Sequence, residues 1–152
     1  LARFAEAAAS FGLATNLEPV AGGKSQTLAE ARDLIRASGA DVGICFDPHH
    51  LIRAGEGLAE LQAIEPGLIR YVQVCDGPIP QPPEIAMTEA VCERLYPGDG
   101  DFPLASLLRA APRDVTVGIE CPSVSRAQAG VSAADQAKEA MARLKALLGS
   151  LD

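Results

Sequence analysis

The sequence predicts an α/β fold: a parallel (β/α)8 barrel of the TIM type, present as about four βα units, a half barrel corresponding to strands five to eight. Three observations predict it. Candidate strands and helices alternate in the order α–βα–βα–βα–βα, which implies right-handed crossovers and a parallel sheet. The units also repeat. Glu18, Asp47 and Asp76 are spaced 29 residues apart, and Glu120 follows after 44, the excess being one long loop. Each unit ends its strand in an acid, with a proline one or two residues later (Pro19, Pro48, Pro78, Pro122). Finally, bulky and small residues alternate along each strand, as in Val42, Ile44 and Phe46 against Gly43, Cys45 and Asp47. A whole barrel of this type needs about 250 residues. The 152 residues here are therefore read as the C-terminal part of one barrel domain, 1–152, with the first four strands and the native N-terminus absent.

Each element has its own signal. Leu1, Phe4, Ala8 and Phe11 share a helical face, and Gly12 suits a C-cap. Leu13 to Glu18 reads as a strand, and Ala21 to Ser25 as a loop. Thr27 and Glu30 form a capping box that opens a helix with Leu28, Ala31, Leu34 and Ile35 inward and Gly39 near its end. Strand 42–47 follows, then a short helix from Leu58 to Ile64 and a strand from Ile69 to Cys75. Ile79 to Gly100 is a proline-rich loop with a helical stretch around Thr88–Leu95. It closes on the turn Pro97-Gly-Asp-Gly-Asp-Phe102, which brings it back over the barrel mouth and does not match a phosphate-cradling loop. Pro103 starts a helix with Leu104, Leu107 and Leu108 inward. Val115 to Glu120 is the fourth strand and Ser123 to Gly130 a loop. Ser132 caps the last helix, in which Ala137, Ala140, Met141, Leu144, Leu147 and Leu148 recur at helical spacing.

Composition narrows the function classes. A formal net charge of −7 disfavours nucleic acid and anionic membranes, which attract clustered Lys and Arg. Cys45, Cys75, Cys92 and Cys121 form no CxxC pair, and they read as reduced thiols of a cytoplasmic protein. No segment is long and apolar enough to span a membrane, and no signal peptide opens the chain.

Strand parity selects candidate site residues. If the bulky aliphatics face the surrounding helices, then Ala14, Asn16 and Glu18, then Gly43, Cys45 and Asp47, then Tyr71, Gln73 and Cys75, then Thr116, Gly118 and Glu120 face inward. Glu18, Asp47, Gln73 and Glu120 then converge at the C-terminal strand ends, where barrels of this kind place their chemistry. Asp76 has the opposite parity and lies on a turn. The small inward residues would leave room for a ligand. Converging carboxylates repel one another, and a divalent cation relieves the repulsion. Oxygen-only ligands favour Mn2+ or Mg2+. The alternative is that the acids cap strands or meet loop arginines. His50, three residues beyond Asp47, can point back to bind or polarise substrate, whereas His49 is read as facing solvent. Arg94 is a candidate contact for an anionic substrate group.

On five pieces the chain resembles the xylose-isomerase-like TIM-barrel superfamily, the sugar phosphate isomerase/epimerase group. The pieces are Asn16-Leu-Glu18-Pro, Phe46-Asp47-Pro-His-His50, Tyr71-Val-Gln73-Val-Cys-Asp76, Leu95-Tyr-Pro-Gly-Asp-Gly-Asp101 and Gly118-Ile-Glu120. The resemblance implies metal ligation by Glu18, Asp47, Gln73 and Glu120, and substrate contact by His50. Many members of the superfamily carry His where this chain has Gln73. Gln there is similar to the 3-dehydroshikimate dehydratases, a lyase branch. The superfamily's DNA-repair branch uses a His-rich zinc cluster, which two histidines do not supply.

The function expected is a metal-dependent isomerase or epimerase of a small polyhydroxy sugar or polyol derivative. It would work through an enediolate, with Glu18 and Glu120 as base and acid. A dehydratase-type lyase, with His50 as a proton source, is the second expectation. A non-catalytic or inactive fragment is the third. The open sheet edges of a half barrel would pair with another chain, which leaves a homo-oligomer open.

Overall fold

A computed structural model describes residues 1–151. Its centre is a four-stranded sheet in the order β1 (Thr15–Leu17), β2 (Val42–Phe46), β3 (Ile69–Val74), β4 (Thr116–Ile119), with every neighbouring pair parallel. Helix α1 (Ala2–Ala9) precedes β1 and α2 (Leu28–Ser38) joins β1 to β2. Helices α3 (Pro48–Arg53) and α4 (Leu58–Gln62) lead to β3. Helices α5 (Ala86–Cys92) and α6 (Leu104–Ala110) lead to β4, and α7 (Val124–Gln128) and α8 (Ala133–Gly149) follow it. This is a partial TIM barrel: a parallel sheet with helices on its outer face.

The outer face of the sheet forms the core. Val42, Ile44, Phe46, Val72 and Val74 are almost fully buried against Leu28, Ala31, Leu61, Leu107 and Leu144 of the covering helices. Burying each such aliphatic or aromatic side chain contributes roughly 1.5–3 kcal/mol, so the outer-facing strand residues hold the sheet to its helices. The capping box forms as expected: Thr27 Oγ1 accepts from the Glu30 amide and the Glu30 carboxylate accepts from the Thr27 amide, both at 3.2 Å.

Several expectations are corrected. Phe4 and Phe11 are exposed, because α1 packs on β1 through Ala5 and no strand lies beyond the free edge of β1 among the described residues. Leu34 is half exposed, since Leu28, Ala31 and Ile35 already occupy the inward stripe of α2. On α8, Ala140 and Leu144 are buried while Ala137 and Met141 face out. Two short helices go beyond the expected elements, one in the stretch after strand 42–47, which the sequence left unassigned, and one within 123–130, where a loop was expected. Helix α3 starts at Asp47, whose Oδ1 accepts from the His49 amide at 2.8 Å, with Pro48 at the first helical position. Helix α7 is capped by Ser123, which accepts from the Arg126 amide.

The inner face of the sheet is less open than its small residues suggest. A Cβ at Gly118 would strike the phenol oxygen of Tyr71, which lies across it from the neighbouring strand. A Cβ at Gly43 would run into the side chains of Asn16 and Arg70. These glycines make room for neighbouring side chains rather than for a ligand.

Candidate active site

Asp47 sits where β2 hands over to α3, and its role as N-cap fixes the carboxylate at the strand's C-terminal end. Glu18 follows β1 and Glu120 follows β4. Carboxylate oxygens of Glu18, Asp47 and Glu120 all lie within 4.8 Å of one another. Arg94 enters this group from the segment after α5. Its Nη1 donates to Asp47 Oδ2 at 2.7 Å and to Glu120 Oε2 at 2.8 Å. Its Nη2 donates to the Ala90 carbonyl at 3.3 Å and lies 3.5 Å from His50 Nε2. Arg94 is 5 % exposed. The loop arginine thus turns inward onto two of the acids, although one edge still lines an adjacent cleft of about 460 Å³ shared with His49, His50, Met87 and Val91.

One guanidinium facing three carboxylates leaves the cluster short of positive charge. Glu18 has the weakest support. Its Oε1 is buried without a hydrogen-bond partner, 3.7 Å from His50 Nε2. Burial, reinforced by repulsion from Asp47 and Glu120, pushes its carboxyl up to about 7, with Arg94 pulling the other way. Burial also raises Asp47 above the usual carboxylate range despite Arg94. The imidazoles of His49 and His50 are pushed down to about 3 and about 4, first by burial and then by the Arg94 charge. Both rings are neutral near pH 7. Burial likewise carries the Cys45 and Cys121 thiols up to about 12, so neither is a ready thiolate.

A hard divalent cation fits this donor set. Three carboxylates converge, one oxygen among them has no partner, and no thiolate intrudes. A cation and Arg94 Nη1 would compete for the same oxygens of Asp47 and Glu120. Asp47, His49 and His50 form a second cluster of ligand-type atoms, also within 4.8 Å of one another.

The family model that matches this sequence is the xylose isomerase-like TIM barrel, over residues 1–147. The chain belongs to this family. Solved xylose isomerase-like structures superpose on it closely. The IolI protein with a bound zinc atom aligns at TM-score 0.76 and 19 % identity, covering 99 % of this chain and 52 % of that one. A xylose isomerase domain protein from Alicyclobacillus acidocaldarius aligns at 0.70 and 28 %, covering 96 % and 55 %. An L-ribulose 3-epimerase aligns at 0.70 and 19 %, covering 99 % and 52 %. The chain therefore spans about half the length of these structures. A search of curated proteins finds no match.

Within this xylose isomerase-like frame, Glu18, Asp47 and Glu120 come together as the strand parity predicts. Gln73 shares the inner face, where its Oε1 accepts from the Cys45 thiol at 3.0 Å. Asp76 is buried and organises the turn: it accepts from the amides of Gly77, Gly98 and Phe102 at 2.9–3.0 Å. His49 corrects the sequence reading, being 1 % exposed and packed beside His50 and Phe102. The reason is α3, whose first turn folds both histidines back under the loop.

Sequence reasoning missed Glu89 and Arg53. Glu89 is 2 % exposed and paired with Arg53 through two hydrogen bonds, 2.6 and 3.0 Å long. The pair spans 36 residues, so no local pattern announces it. Gly77 is the one hint, because a side chain there would collide with Glu89, Phe102 and Arg53.

Proposed function

We propose that the protein is a divalent-metal-dependent isomerase or epimerase of a small sugar or polyol derivative, acting through an enediolate. The observation that carries this reading is the convergence of Glu18, Asp47 and Glu120 at the C-terminal ends of parallel strands. The kinship with xylose isomerase-like proteins, among them epimerases, supports the substrate class. Glu18, Asp47 and Glu120 would hold the cation, with the Gln73 carbonyl as a fourth candidate. Oxygen donors favour Mn2+ or Mg2+. A cation bound there would supply positive charge against the developing enediolate oxygens.

The two glutamates have different surroundings, and this sorts their roles. Glu18 is the acid without a strong partner, its Oε1 buried and unpaired, which makes it the candidate to take a proton from carbon next to a carbonyl. Glu120, which Arg94 holds when no cation is bound, approaches from the opposite strand edge and returns the proton. His50 Nε2 faces the same space and orients a substrate hydroxyl. Arg94 balances the acids and offers its cleft-facing edge to an anionic group.

The test is turnover of a ketose and keto-sugar panel before and after chelation, with product stereochemistry read by NMR. The expected result is loss of activity on chelation and its return with Mn2+. Unchanged turnover after metal removal overturns the metal role.

Gln73 favours a second reading, a lyase resembling the 3-dehydroshikimate dehydratases. Formation of an ultraviolet-absorbing product from 3-dehydroshikimate would select it over the first.

A further inference from the structure

The cleft of about 460 Å³ beside the strand-end acids has an apolar wall that the proposed chemistry does not use. Helix α5 places Ala86, Met87, Ala90 and Val91 along it, and Val20, from the loop after β1, borders it too. Ala86 and Ala90, like Met87 and Val91, are four residues apart, so the four share one side of the helix. Met87 is 77 % exposed and Val91 65 %. Apolar side chains gathered at a concave surface and left in water mark a binding site, unlike single exposed ones.

A buried clamp sets the orientation of α5. Glu89, on another side of the helix, accepts from Arg53 Nε at 3.0 Å, from Arg53 Nη2 at 2.6 Å and from the Gln81 amide. Arg53 Nη2 also donates to the Pro78 carbonyl at 3.0 Å, and its guanidinium stacks over Phe102. With Glu89 fixed inward, Met87 and Val91 stay turned to the cleft.

We propose that this wall is a subsite for an apolar substituent of the substrate, so that the sugar or polyol derivative carries a short aliphatic chain or an aromatic ring. The inference rests on reading the strand-end acids as the reaction site.

Three features assign the wall to the substrate. The first is continuity. His50 and Arg94 form the buried end of the cleft and also meet the acids. Arg94 Nη1 donates to Asp47 and Glu120, and His50 Nε2 lies 3.7 Å from Glu18 Oε1. A molecule held at the acids therefore extends along α5 without a break. The second is size. The cleft lies within the range of small-molecule sites, about 300–1,000 Å³, whereas a stable protein partner needs a much broader surface.

The third is the distribution of polarity. Arg53 and Gln81 also border the cleft, but they are turned to Glu89. Hydroxyls of an unsubstituted sugar laid against Met87 and Val91 would lose water without gaining a partner. An alkyl or aryl group there has no hydrogen bonds to lose, and it removes both its own surface and those side chains from water.

The experiment follows the methionine methyl signals by NMR. Met87 and Met141 are the two methionines of the chain, and Met141 lies on α8, away from the cleft. Protein labelled with 13C at the methionine methyls, in Mg2+, is titrated with alkyl glucosides from methyl to pentyl, and with glucose and fructose as alkyl-free controls. The expected result is a saturable shift of Met87 and not of Met141, with affinity rising by up to about fourfold per added methylene. Val91→Asp, at an exposed position, is expected to abolish that dependence on chain length. Absence of a Met87 shift, equal shifts at both methionines, or an unchanged chain-length dependence in Val91→Asp overturns the proposal. A Met87 shift that grows with protein concentration in the absence of any glucoside also overturns it, because a second copy of the chain then covers the wall. The titration reads binding without turnover, so its failure is distinguishable from failure of the isomerase reading, which the chelation panel tests.

Discussion

Replacing Arg94 with methionine should destabilise the metal-free protein and enlarge the stabilisation a divalent cation provides. The guanidinium makes short bonds to Asp47 and Glu120 at a site where Asp47 is 2 % exposed. Removing one partner of a buried ion pair costs about 3–5 kcal/mol, because the remaining charge stays buried and unpaired. Glu120 is partly exposed and adds little, so the cost falls mainly on Asp47. For a domain of this size each kcal/mol shifts the melting temperature by about 2–4 °C. The metal-free variant should therefore melt about 6–20 °C below the wild type. A cation added to the variant meets two carboxylates that are no longer held by a guanidinium. Mn2+ should therefore raise the melting temperature of the variant by more than that of the wild type. Differential scanning calorimetry with chelator and with Mn2+ measures all four states. Equal stabilisation of both proteins by Mn2+ would refute the competition between Arg94 and the cation, and an unchanged metal-free melting temperature would refute the pairing itself.

Three further outcomes are expected. The Glu18 carboxyl is raised from the ordinary 4.5 to about 7, so between those values the folded protein holds a proton that the unfolded chain has released. Metal-free stability should therefore fall as pH rises through that window, by about 1–2 kcal/mol once the part exposure of Glu18 is allowed for. Mn2+ affinity, measured by titration calorimetry, should rise over the same window, and Glu18→Gln should flatten both profiles. Gly118→Ala drives a methyl group into the Tyr71 hydroxyl and should cost about 1–3 kcal/mol in urea unfolding, with Tyr71→Phe in the same chain restoring part of the loss. Ile44→Ala empties a fully buried position in the middle of β2 and should cost about 2–5 kcal/mol in the same assay, with the site acids left in place.

The fold was legible because its signals are local and periodic. Alternation at period two separated Val42, Ile44 and Phe46 from Gly43, Cys45 and Asp47, and that same parity brought Glu18, Asp47 and Glu120 to one end of the sheet. The capping box at Thr27 and the proline before α6 marked helix starts within a few residues. The parts that were not legible depend on contacts between distant residues. Arg94 reaches Asp47 across 47 residues, and Glu89 meets Arg53 across 36. Neither distance leaves a trace in local composition. The burial of His49 follows from α3, a six-residue helix too short to show an apolar period, although Asp47-Pro48 carried its start signal. The glycines of the inner face illustrate a different limit. A small residue marks close approach, but the sequence does not say whether a ligand or a neighbouring side chain such as Tyr71 is what approaches.

Convergence of Glu18, Asp47 and Glu120 on a cation is the centre of the proposed chemistry. The most direct measurement is anomalous diffraction at the manganese edge from crystals of the protein grown with Mn2+. The expected map has one strong peak within bonding distance of carboxylate oxygens from all three residues, with the Arg94 guanidinium displaced from between Asp47 and Glu120. A map without that peak, in which Arg94 still bridges the two acids at saturating Mn2+, would contradict it.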